Sequence, residues 1–169
     1  MNRKLILAVL ALPLTIGISS AAAHADVITF TLSNSSQTTS PGDTLTYVAT
    51  VSAPGSNGAA IYLNGDSFNI GSPLGLDDTD FFANFPLLLN PGDTFSGDLF
   101  TVMIPANNPW GIYAGSFSIL GGADNSANDV LGTVNFNTTV TPEPSSLLLL
   151  GTGMVGVFSV FKRLRFHAV

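Results

Sequence analysis

The chain of 169 residues contains no cysteine, so neither disulfides nor lipid attachment through a cysteine can hold it, and an oxidising compartment poses it no redox problem. A second absence is regional. All five Lys and Arg residues (Arg3, Lys4, Lys162, Arg163, Arg165) and both histidines (His24, His167) lie near the ends, leaving positions 26–140 without a cation or an imidazole. Glutamate is missing there too, and the acidic side chains are aspartates at 26, 43, 66, 77, 78, 80, 93, 98, 124 and 129. The central region is therefore far more acidic than the whole-chain net charge of -6 suggests. Such a surface repels nucleic acid and anionic lipid and favours cations and neutral polymers.

These gaps also restrict catalysis. General bases and activated nucleophiles are usually His, Cys, Lys or Glu, and phosphate or oxyanion stabilisation often uses Arg; the central region offers none of them. Carboxylate-pair chemistry is what survives. Asp43-Thr44 and Asp93-Thr94 superficially suggest an aspartic dyad, but Leu45 and Phe95 follow where such loops carry glycine. The expectation is a protein that is not an enzyme.

What is present is clearest at the two ends. Arg3 and Lys4 precede an apolar segment from Leu5 to Ile18, and Ala23-His24-Ala25 supplies the small-x-small pattern that signal peptidase cuts after. Residues 1–25 are read as a signal peptide and Asp26 as the first mature residue. At the other end, Thr141-Pro142-Glu143-Pro144-Ser145-Ser146 leads into an apolar run from Leu147 to Phe161, followed by Lys162-Arg163-Leu164-Arg165. An apolar run beside a basic cluster halts with its cationic end in the cytoplasm. At about 1.5 Å per helical residue the run covers roughly 22 Å against a bilayer core of about 30 Å. Gly151, Gly153 and Gly156 weaken the helix further. The segment predicts a transmembrane helix over 147–161 that anchors transiently.

This order of elements resembles the PEP-CTERM sorting signal of Gram-negative bacteria: a Pro-Glu-Pro tripeptide, a short apolar helix and a terminal basic cluster. The resemblance covers about Thr141 to Arg165. It implies that Pro142, Glu143 and Pro144 are recognised by an exosortase, a membrane transpeptidase-like protease that cuts near the tripeptide. It implies, too, an inner-membrane intermediate with the central domain in the periplasm, and a final location at the cell surface or outside the cell. The competing reading is an ordinary C-terminal anchor with Pro142 and Pro144 as a stiff extended spacer.

Residues 26–140 are of ordinary size for a single domain. Pro41-Gly42-Asp43-Thr44 and Pro91-Gly92-Asp93-Thr94 are the same tetrapeptide, each opening an alternating segment: Leu45, Tyr47, Ala49, Val51 in one, Phe95, Leu99, Thr101, Met103 in the other. Proline fixes a turn, glycine permits positive φ, and the period-2 pattern predicts a half-buried strand. Val27 to Leu32 alternates Ile28, Phe30 and Leu32 inward. Ala60 to Leu63 and Ser67 to Ile70 flank Asn64-Gly65-Asp66 as a predicted hairpin. Ile112 to Leu120 and Leu131 to Val140 bring the total to about seven strands, the count of an antiparallel immunoglobulin-like sandwich. Tyr113, after Trp110-Gly111-Ile112, is placed to hydrogen-bond back across a corner. Pro91 to Phe136 is diffusely similar to bacterial Ig-like surface modules. The long stretch from Gly71 to Asn90 predicts a short helical turn capped by Asp77 or Asp78, with Phe81, Phe82 and Phe85 closing one end.

Asp77, Asp78 and Asp80 in one loop supply the hard oxygen ligands that calcium prefers, although turn and capping roles explain them equally well. Two functional readings remain. One is a structural component of the cell surface or of an exopolysaccharide (biofilm) matrix, the setting implied by the PEP-CTERM resemblance. The other is a glycan- or protein-binding module. Exposure of Trp110, Tyr113 and Phe81 together would favour binding, and burial of all three a structural role.

Overall fold

The computed structural model describes residues 27–142 and the helix over 146–165, whose side chains are described at 149–158. The expected signal peptide, with Ala23 and Ala25, lies outside the described residues, as do Glu143 and Pro144.

Nine strands form two facing sheets. They are β1 (Thr29–Leu32), β2 (Ser36–Thr39), β3 (Thr44–Ser52), β4 (Ile61–Ile70), β5 (Gly75–Asp77), β6 (Leu88–Leu89), β7 (Thr94–Met103), β8 (Gly111–Gly122) and β9 (Asp129–Val140). One sheet has the order β1-β3-β7-β5, the other β2-β9-β8-β4-β6. The expected sandwich is present, with two differences. Three of the nine strands are shorter than a sequence pattern can reveal, with two to four residues each. The pairing of β2 with β9 is parallel, Ser36 opposite Asn137 through Thr39 opposite Val140.

The repeated tetrapeptide acts as expected and adds a local symmetry. Gly42 and Gly92 have φ of 89° and 91°, values at which a Cβ would be strained. Strands β3 and β7 pair antiparallel from Thr44–Met103 to Ser52–Thr94, so the two turns lie at opposite ends of one ladder. Each turn then closes on its partner strand. Gly42 N donates to the Ile104 carbonyl and Ile104 N to Asp43, while Gly92 N donates to Ala53 and Ala53 N to Asp93, all at 2.8–3.0 Å. The Asp43 carboxylate accepts from Thr39 Oγ1 and Ser40 N, and that of Asp93 from Asn90 N and Nδ2. These aspartates fasten turns.

Inward positions of both sheets meet in an aromatic core. Tyr47 stacks on Phe100 at 4.9 Å and Phe100 on Phe117 at 5.0 Å, with Phe136 at 4.9 Å from Phe100 and 5.0 Å from Tyr47. Each such pair contributes about 0.5–1.5 kcal/mol beyond the area it buries. The fully buried Tyr47 places its hydroxyl 3.0 Å from both Thr138 Oγ1 and the Asn137 carbonyl, satisfying a polar tip that burial would otherwise penalise.

Two expectations about the strands are corrected. In β7, Tyr47 faces Phe100 while Val48 faces Asp98, so Leu99 is an extra residue and a bulge reverses the alternation. Phe100 and Val102 are consequently buried, Thr101 is only partly covered, and Met103 is exposed. The predicted hairpin at Asn64-Gly65-Asp66 is instead one continuous strand, β4, with its bulge between Leu63 and Gly65. Gly65 lacks the positive φ a primed turn needs. Asn64, the bulged residue, donates through Nδ2 to the carbonyls of Asp124 and Ala127 at 2.8 Å each, latching the β8–β9 connection. A further bulge lies in β9, where Ile119 faces Gly132 and Leu120 faces Val130, leaving Leu131 unpaired in the ladder.

The stretch from Gly71 to Asn90 contains the expected helical turn, α1 (Thr79–Asn84), which packs against β7 and sets Phe81 edge-on to Phe117 of the other sheet. Asp78 is its N-cap residue by position, but the cap bonds come from Asp77, which accepts from Thr79 N and Oγ1. Phe81 and Phe85 are buried; Phe82 is exposed.

Candidate functional site

The C-terminal segment grows out of one end of the sandwich. Val140, the last residue of β9, pairs with Gly111 on one side and Thr39 on the other. One residue on, Thr141 N donates to the Thr39 carbonyl at 2.9 Å. The ladder therefore ends at Thr141, and Pro142, exposed and lacking an N–H, cannot extend it.

Beyond the tripeptide, α2 (Ser146–Arg165) begins. Its described apolar side chains Leu149, Leu150, Met154, Val155, Val157 and Phe158 are all exposed, between 55% and 74%. Contiguous apolar exposure of this kind marks an interaction or membrane surface. Lys162, Arg163 and Arg165 fall within the last turn, where cations complement the helix dipole; their side chains lie outside the described residues. The helix thus continues past the predicted end at Phe161 and incorporates the basic cluster. Among the described residues no helix is long and apolar enough to cross a membrane. The side chains at 147, 148 and 159–161 of the expected span lie outside the described residues.

Among the described residues no group of three or more His, Cys, Asp or Glu side chains is placed to hold a metal ion. Asp77 is occupied by Thr79, whose bonds hold its carboxyl below the usual range. Asp78 interacts instead with Asp66, a contact no local pattern announces. Asp66 sits on β4 beyond Tyr62, the last residue of that strand paired with β6, and shares the inward side of the sheet with its partner Ile119. Desolvation and then the neighbouring Asp78 raise its carboxyl to about 6, so the protonated form donates to Asp78. An inward-pointing acid beside a partly unpaired edge also discourages a second chain from adding there.

The three aromatic residues that were to discriminate between binding and structure are divided. Phe81 is buried and Tyr113 is half-buried, its hydroxyl donating to the Pro109 carbonyl at 2.8 Å as the corner reading expected. Trp110 is 69% exposed and Ile112 73%. The sandwich faces themselves carry hydroxyls and amides. On one, Thr50 and Ser96 lie 2.6 Å apart and Ser52 and Thr94 2.8 Å, with Thr46 beside them. On the other, Ser118 meets Thr133 at 2.8 Å, among Ser67, Asn69, Ser116, Asn135 and Asn137.

No curated protein matches the chain. Solved structures similar in chain path include a family 123 glycoside hydrolase from Clostridium perfringens, at 9% identity and a TM-score of 0.45, covering 69% of this chain and 27% of that one. A type I cohesin–dockerin complex from Clostridium thermocellum matches at 15% identity and a TM-score of 0.36, over 69% of this chain and 100% of that one. The seventh type I ScaB cohesin from Pseudobacteroides cellulosolvens matches at 15% and 0.34, over 70% and 94%. Residues 140–163, from the last residue of β9 into the basic turn of α2, match the PEP-CTERM protein-sorting motif, and the chain carries that motif.

Proposed function

We propose that the β-sandwich is a non-catalytic structural component of the cell surface or extracellular polysaccharide matrix, delivered there by exosortase processing of its C-terminal segment. The observation that carries this reading is the sorting motif at 140–163, fused without a spacer to the strand that ends the domain. A PEP-CTERM motif implies processing by an exosortase and membrane-associated sorting to the surface. The sheet faces support the structural part. They present neutral donors and acceptors to a hydrated polymer, while several aspartates serve turns and caps. Mass spectrometry of the protein from its native cells tests the proposal: a chain ending near Glu143 or Pro144 in the surface or matrix fraction is expected, and an intact Val169 in the membrane fraction would refute it.

A binding module is the second reading, favoured by the exposed indole of Trp110. Its test is a change in Trp110 fluorescence on titration with soluble exopolysaccharide; no change removes it.

A further inference from the structure

The end of the sandwich that leads into the sorting segment differs from the opposite end. It collects the turn at 40–43, the loop at 104–110, the start of β8 and the end of β9, as the pairings Thr44–Met103, Gly111–Val140 and Thr39–Val140 require. Its exposed apolar side chains are Trp110, Ile112 and Met103. Its terminal turns and loops carry one carboxylate, Asp43, folded back onto Thr39 and Ser40, with Asp77 two residues inward from the Gly75–Met103 pair. The far end also exposes apolar groups, Val27, Leu87 and Val130, but it sets them among Asp93, Asp124 and Asp129. In a domain without cations, the end with fewest carboxylates is the one that can approach a phospholipid surface without repulsion.

Geometry brings it there. Thr141 is tied to Thr39, and from it to Ser146, the first residue of α2, is five residues, at most about 18 Å of extended chain. The polar layer on each side of a bilayer core is itself roughly 5–8 Å thick. With α2 in the membrane, the tether keeps Trp110 and Ile112 within reach of the region where tryptophan concentrates at membrane interfaces, and it makes even a weak contact effectively intramolecular.

We propose that while α2 is inserted, the Trp110–Ile112 end of the sandwich seats in the phospholipid headgroup layer and presents Pro142 and the residues after it to a membrane protease at the bilayer surface. The proposal rests on the sorting reading above. Trp110 is the only tryptophan in the chain, so its emission reports the contact directly. In the full chain reconstituted into phosphatidylcholine vesicles, Trp110 is expected to emit to the blue of an aqueous indole, to resist acrylamide and to be quenched by lipids brominated near the headgroup. Ile112→Asp is expected to restore acrylamide quenching. In the double variant W110F/V130W, which moves the indole to the far end, emission is expected to stay water-like. A chain that floats with vesicles while Trp110 remains open to acrylamide overturns the seating and leaves the sorting reading intact. A chain that does not float at all overturns both. Equal blue shifts from both indole positions, or a shift produced by soluble exopolysaccharide without vesicles, overturn the seating as well.

Discussion

Replacing Asp66 with Asn isolates the carboxyl pair that the fold assembles from β4 and the N-terminus of α1. In the folded protein Asp66 titrates at about 6 against an ordinary value of 3.8. The group is raised, so its contribution is complete below 3.8, where folded and unfolded chains are both protonated. It is lost as pH rises to about 6, because the unfolded chain gives up its proton first. Above that, Asp66 is charged in a partly desolvated place beside Asp78. The interval between 3.8 and about 6, at 1.36 kcal/mol per pH unit, sets a ceiling of about 3 kcal/mol. Asp66 is only half-buried, and solvent screening reduces the figure to about 1 kcal/mol. The Asn side chain keeps a donor for Asp78 and has no charge to lose. The variant is therefore expected to be more stable than the natural protein by about 1 kcal/mol at pH 7.5, roughly 4 °C in Tm for a domain of this size, and nearly equal at pH 4.5. Thermal melts at both pH values, followed by near-ultraviolet circular dichroism, measure the difference. Acid also relieves the general repulsion among the other aspartates, but that effect is common to both proteins and cancels. A difference that stays the same at the two pH values would show that Asp66 carries no shared proton.

Three further substitutions test the bulges and close approaches. A Cβ at Gly121 would collide with the Tyr62 carbonyl, whereas at Gly55 it meets nothing within 4 Å. Gly121→Ala is expected to cost more than about 2 kcal/mol in urea denaturation and Gly55→Ala less than about 0.5, and similar costs would contradict the β4–β8 register. Asn64→Ala removes both bonds to the β8–β9 connection, at about 1–2 kcal/mol; hydrogen exchange within residues 123–128 is expected to quicken while that of β3 is unchanged, and unaltered exchange there would deny the latch.

Features set by neighbouring residues were readable in the sequence. Pro-Gly-Asp-Thr specifies a turn with its own glycine and its own acceptor, and both copies turn alike because the glycine and the donors to the aspartate lie within about five residues. Alternation in β3 held because nothing interrupts Leu45, Tyr47, Ala49 and Val51. In β7 the identical opening was followed by a bulge at Leu99, and one extra residue exchanges the faces of everything after it. No local pattern announces that insertion, since Leu99 and Phe100 are both apolar and both end up buried. The Asn64-Gly65 dipeptide was misleading for a related reason. It suits a primed turn, but its position opposite Leu120 and Gly121 and the carbonyls waiting at Asp124 and Ala127 favour a bulge, and those partners lie about sixty residues away. The Asp66–Asp78 pair is likewise a product of tertiary structure. The sorting segment was readable because it is linear, and a protease or a membrane reads it as sequence.

The absence of cations from the sandwich gives cleavage its consequence. A domain with basic patches would stay near anionic lipid after losing its helix; this one has aspartates and hydroxyls, so its hold on a membrane comes from apolar contact alone. Were Trp110 and Ile112 both fully withdrawn from water they would contribute at most about 3–5 kcal/mol, near the level of a single acyl chain, which binds membranes only marginally and reversibly. That is enough to orient a tethered domain and too little to retain a free one. Cutting the chain after β9 removes the tether and therefore most of the attraction, while leaving every core contact and both fastened turns in place. An intact sandwich that stays on vesicles after removal of residues 143–169 would contradict this account of release.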